Sequence, residues 1–184
     1  MLRNYSGNGP PPYKRGSFFP SVNRLTVYTI TDVQSAPYKT ILPFLEKWRN
    51  ILRQRPKSEP EYGLGFPDYL MTDCAHLVEA RVEYANYSWG EGCFYITQYC
   101  QGPDSLANDT LYFNFEGMSK DCKYWVSGQF NIMHPKLPDR HGPEPAHRID
   151  KSTEADALLR GFEDDSFTPS LRKIKAWVGS LKID

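Results

Sequence analysis

Three of the four histidines, His134, His141 and His147, fall close together among Asp139, Glu144 and Asp150. Imidazole and carboxylate are the groups of general acid–base catalysis and of metal ligation. A small His-dependent hydrolase or a metal-dependent enzyme would therefore draw on this loop, with Glu83 as a further carboxylate. The spacing matches no zinc pattern, and Pro135, Pro138, Pro143 and Pro145 keep the backbone extended. There is no Gly-x-Ser-x-Gly, and no cysteine stands in a nucleophile's sequence context. No catalytic residue, metal ligand or cofactor is assigned, and the expectation leans away from an enzyme.

The four cysteines are Cys74, Cys93, Cys100 and Cys122, and none forms a Cys-x-x-Cys pair. Zinc-ribbon and thioredoxin-like readings thus have no support. The even count allows disulfides, with Cys74 to Cys100 the favoured bridge and free buried thiols the alternative. Oxidised cysteines would suit a secreted or periplasmic protein, and reduced ones a cytoplasmic protein. Three sequons, Asn4-Tyr5-Ser6, Asn86-Tyr87-Ser88 and Asn108-Asp109-Thr110, stand where chance gives about one.

A second kind of chemistry is recognition. Tyr87, Tyr95, Tyr99, Tyr112 and Trp125 combine apolar area with hydrogen-bonding tips, while Asn114 and Gln129 supply directed polar contacts. That mixture suits a glycan, a peptide or a protein surface. The alternatives are an ordinary solvent face, rich in Tyr and Thr through strand propensity alone, or a face covered by a helix or loop.

What must position these side chains is a sheet. Four segments, 75–88, 93–100, 109–116 and 122–133, alternate apolar and polar residues and are separated by turn chemistry. Phe94, Ile96, Leu111, Phe113, Phe115, Val126, Phe130 and Ile132 share one face. Val78, Ala80, Val82 and Tyr84 are assigned to one face of the first strand, with Glu79, Arg81, Glu83 and Tyr87 opposite. Folding each hairpin about its turn aligns Tyr87, Tyr95, Asn114 and Trp125 in one row. It aligns Thr97, Tyr112 and Ser127 in the next, and sets Glu116 against Lys123.

Residues 25–33 read as a fifth strand. Residues 43–55 read as a helix whose stripe of Phe44, Leu45, Trp48, Ile51 and Leu52 suits the Phe-rich face, with Pro56 as its stop. Residues 57–73 read as a long loop, with Gly63 and Gly65 flanking Leu64. Helices are expected over 153–162 and after Thr168, the latter with Leu171, Ile174, Trp177, Val178 and Leu181 as its stripe.

The 184 residues suit one domain with its own core. Residues 1–23 read as a flexible arm and 24–184 as a single α+β domain: a four-strand meander plus one N-terminal strand, with one face covered by amphipathic helices. Charge is balanced at 22 basic and 22 acidic residues, which argues against nucleic acid as the main partner. No apolar run is long enough to span a bilayer. The expected function is a non-enzymatic binding protein with a protein or glycan partner on the Tyr/Trp face. The alternatives are the His-dependent enzyme above and a structural or assembly subunit, and the oligomeric state stays open.

Overall fold

The computed structural model describes residues 3–4, 23–34, 42–56, 66, 75–100, 106–139 and 152–183. Its strands are β1 (Arg3–Asn4), β2 (Arg24–Thr29), β3 (Ala75–Asn86), β4 (Gly90–Cys100), β5 (Leu111–Ser119) and β6 (Tyr124–Asn131). They form one antiparallel sheet in the order β1-β2-β6-β5-β4-β3, in which β1 is a two-residue edge. The expected α+β class and four-strand meander are present, and the N-terminal strand β2 joins through β6. Residues 30–33, expected as strand, instead turn into a short helix α1 (Ile30–Gln34). Of the proposed arm, Arg3 and Asn4 pair with Val27 and Thr26, and residues 1–2 and 5–22 lie outside the described residues.

Helices cover both faces. Helices α3 (Ser152–Arg160) and α4 (Leu171–Gly179) pack Leu159, Leu171, Ile174 and Val178 against Phe94, Ile96, Phe113, Phe115 and Phe130. Burying each such aromatic ring contributes about 1.5–3 kcal/mol. The cap of α4 is Ser170, whose hydroxyl accepts from the Lys173 amide, rather than Thr168. Helix α2 (Leu42–Gln54) lies on the Tyr/Trp face, not on the Phe-rich one. Phe44 meets Trp125 edge-on at 5.3 Å, and Trp48 stacks on Tyr95 at 6.0 Å and on Phe66 at 5.0 Å. Arg55 ends α2 in a left-handed conformation, its amide closing on the Ile51 carbonyl at 2.8 Å before Pro56.

Register departs from expectation between β5 and β6 and at two irregularities of β3, one of them between His76 and Val78. Asn114 pairs with Gln129 rather than Trp125, and Tyr112 with Asn131 rather than Ser127. The cause is Gly117. It has the look of a turn residue, yet it continues β5, where a Cβ would meet the Phe115 ring at 2.7 Å. The turn falls later, at Cys122, whose amide closes on the Ser119 carbonyl. Glu116 therefore faces Ser127, and Lys123 pairs with Asp121 instead. The slip is even, so every side chain of β6 keeps its face.

The other irregularity of β3 reverses parity along the rest of the strand. A bulge lies between Ala80 and Glu83, where Arg81 has φ 52°. Beyond it Val82 and Tyr84 face α2, while Glu83 reaches Lys175 of α4. Residues 82–87 thus stand on the faces opposite to those expected.

Cys93 is a buried thiol and Cys122 an exposed one, and no disulfide joins described residues. Cys74 and the Cys100 side chain, the favoured bridge, lie outside the described residues. Among the described residues no helix is long and apolar enough to cross a membrane.

Candidate functional site

The Tyr/Trp face divides into an apolar end and a polar end. At the apolar end Trp125 is sandwiched between Tyr28, stacked at 4.6 Å, and Phe44. Its indole N–H donates to Glu116 Oε2 at 2.6 Å, and the Ser127 hydroxyl donates to Oε1 at 2.8 Å. Trp125 is therefore a core residue held by a buried carboxylate.

The polar end is built from two adjacent cross-strand rows. One runs Glu79, Thr97, Tyr112, Asn131 across β3, β4, β5 and β6. The other runs Tyr95, Asn114, Gln129, Arg24 across β4, β5, β6 and β2. Side chains opposite one another on one face stand about 4.5–5.5 Å apart at Cβ. Asn114 Nδ2 donates to the Tyr99 hydroxyl at 2.8 Å and to the Tyr95 hydroxyl at 3.3 Å. That orientation leaves Asn114 Oδ1 buried with no hydrogen-bond partner. Thr97 Oγ1, fully buried, and Asn131 Oδ1 are likewise without partners. Each buried polar atom left unpaired costs about 1–3 kcal/mol. Three of them within two adjacent cross-strand rows are the main chemical anomaly of this face.

Of the seven residues assigned to recognition, Tyr95, Tyr99, Tyr112, Asn114 and Gln129 lie at this polar end. Tyr95, Tyr99, Tyr112 and Asn114 are buried rather than laid open to solvent, and Gln129 is half-buried. Trp125 belongs to the core, as above. Tyr87 lies on the opposite face, stacked on Trp89 at 5.3 Å and beside Gly179 of α4, because the β3 bulge has carried it across. Burial, with the Glu83 carboxylate adding to it, pushes the Tyr87 phenol up to about 12. Thr97 and Asn131 stand beside these residues without being among the seven. Their parity was legible, but an unpaired atom is a property of packing alone.

No known protein family matches this chain. Nor does any curated protein or solved structure.

The loop chemistry resolves differently. His134 is buried and stacks on Phe162 at 3.5 Å. Its Nδ1 accepts from the Lys136 amide at 3.2 Å, which places the proton on Nε2. Nε2 then donates to Ser166 Oγ at 2.9 Å, and Ser166 donates to the Glu163 carbonyl at 2.6 Å. A base that activates serine needs the opposite tautomer, so this pair is structural. Burial and then the Lys136 charge lower the His134 pKa, keeping the ring neutral. Asp139 is exposed, and His141, Glu144, His147 and Asp150 lie outside the described residues. Glu83 is bound to Lys175. Among the described residues no cluster of three His, Cys, Asp or Glu side chains is placed to hold a metal.

Asn108, a sequon residue, spends its side chain clamping this loop. Its Nδ2 donates to the Leu137 carbonyl at 2.5 Å, and its Oδ1 accepts from the His134 amide at 2.8 Å. A glycan on that nitrogen is incompatible with the fold.

Proposed function

We propose that this protein is a non-enzymatic binding protein that takes a glycan partner at the polar end of its Tyr/Trp face. The observation supporting the reading is the trio of unpaired buried atoms: Thr97 Oγ1 and Asn131 Oδ1, in one cross-strand row with Tyr112 between them, and Asn114 Oδ1 in the next row. A ligand supplying hydrogen bonds there relieves a penalty already present in the free protein. A sugar ring carries several hydroxyls on one small frame and so offers partners to polar atoms that stand apart from one another. A protein partner reaches them only by inserting a side chain.

Thr97→Val tests the reading because valine keeps the shape and removes the unpaired hydroxyl. In the free protein its melting temperature is expected to hold or rise. Affinity for glycans bound by the wild type is expected to fall about tenfold or more, the worth of one buried hydrogen bond. The measurement is an array screen followed by calorimetric titration of both proteins. Unchanged affinity in a folded Thr97→Val protein would remove the polar end as the site.

A further inference from the structure

The three sequons differ in what the fold does with the acceptor amide. Asn86 is the last residue of β3. It stands beside a tight turn through Ser88 and Trp89, which the Tyr87 amide closes by donating to the Gly90 carbonyl at 2.7 Å. Asn86 and Ser88 are both exposed. Arg55 Nη2 donates to Asn86 Oδ1 at 2.5 Å and to Glu91 Oε2 at 2.9 Å. A guanidinium only donates, so the atom it meets is the amide oxygen, and Nδ2 is the other end of the amide. Among the described residues no hydrogen bond engages that nitrogen. N-glycosylation replaces one N–H of Nδ2 and leaves the oxygen untouched, so the Arg55 contact survives a glycan. Asn108 is the reverse case: it is buried, and its Nδ2 is spent on the Leu137 carbonyl. The Asn4 side chain lies outside the described residues.

We propose that Asn86 is a modification site, the acceptor of an N-linked oligosaccharide transferred from a polyprenyl diphosphate donor, and that the folded chain carries none at Asn108. In the transfer Nδ2 forms a bond to the anomeric carbon of the first sugar. The bond from that carbon to the diphosphate oxygen breaks, polyprenyl diphosphate leaves with the electron pair, and the displaced amide proton passes to solvent. Nothing is oxidised or reduced. Ser88, the third residue of the sequon, sits in the turn with its side chain open to a transferase. About 20 Å of β4 separates Glu91, the partner of Asn86, from Thr97. The attached glycan therefore stands clear of the polar end, and this inference does not rest on the binding reading.

The test uses the full chain with an added leader sequence, expressed in cultured mammalian cells, and with Asn4→Gln so that two sequons remain. Attachment precedes folding, so released and cell-retained protein are both analysed. A peptide-N-glycosidase acting in heavy-oxygen water converts each glycosylated asparagine to a labelled aspartate, which peptide mass mapping locates. Asn86 is expected to be labelled in the released protein and Asn108 unlabelled. Asn86→Gln and Ser88→Ala are each expected to abolish the glycan on released protein. Thr110→Val erases the Asn108 sequon by removing a buried hydroxyl that has no partner, and is expected to leave the glycosylated mass shift unchanged. The melting temperatures of the glycosylated and enzymatically deglycosylated proteins are expected to agree. Asn86 unlabelled in both pools, or labelled in the retained pool alone, overturns the proposal. A labelled Asn108 in released, folded protein overturns the exclusion of that sequon.

Discussion

At Cys122 the backbone adopts φ 57°, a left-handed conformation that costs a residue with a Cβ about 1–2 kcal/mol. The side chain is exposed, so little is lost by removing it. Cys122→Gly is expected to stabilise the protein by about 0.5–1 kcal/mol after glycine's own entropic cost, read as a higher urea midpoint at constant m-value. His134 gives the opposite kind of prediction. Its folded pKa lies below the ordinary 6.5, so below that pH the unfolded chain binds more protons than the folded one. The stability it contributes is complete above pH of about 6.5 and declines as pH falls toward the folded value. His134→Gln is expected to flatten that part of the stability–pH curve, and an unaltered slope would show that His134 does not titrate there. The protonated ring would lose the Lys136 amide as a donor to Nδ1, which is the structural reason for the sign.

Among the elements, the β3 bulge is what ties the sheet to its helices. Arg81 donates to the carbonyls of Leu159 and Phe162 at the end of α3 and to Asp164, and its own amide donates to Asp156. Asp164 also holds Lys175 of α4, which reaches back to Glu83. Arg81 therefore fixes both helices against one strand. Removing the guanidinium takes the donor from the Phe162 carbonyl and leaves part-buried Asp164 to Lys175 alone, so Arg81→Ala is expected to cost about 1–3 kcal/mol in denaturant unfolding. Arg81→Gly, which tolerates φ 52°, is expected to be less damaging by about 1 kcal/mol. The reverse order would show that the bulge is not strained. Nothing local announces such a bulge: Glu-Ala-Arg-Val-Glu alternates as well as any strand, and the irregularity follows from contacts with α3 and the segment after it.

Across the whole molecule, one sheet carries an apolar cluster on each face. The clusters share strands, so neither is expected to melt alone. Near-ultraviolet and far-ultraviolet circular dichroism should report one coincident transition. Trp125→Ala opens a large cavity under α2 and strips Glu116 of a buried donor. It is expected to destabilise the whole fold by about 3–5 kcal/mol and to lower both signals together, where separate transitions would mean that α2 is a detachable layer. The burial of Trp125 and Tyr95 means that their substitution tests stability before it tests binding.

The sequence by itself determined the strands of the meander, the helical stripes and the two faces of β4, β5 and β6. Alternation and 3.6-residue periodicity are local properties, and the register slip at Gly117 was even, so face assignments survived it. It also brought Tyr95, Tyr99, Tyr112, Asn114 and Gln129 to one face, as expected from their parity. Only the tertiary structure decided that α2 covers that face, that Trp125 belongs to the core and Tyr87 to the other side, and that Thr97, Asn114 and Asn131 keep unpaired atoms. An amphipathic stripe states that a helix must be covered but not by what. Hydrogen-bond satisfaction depends on neighbours brought together from distant parts of the chain.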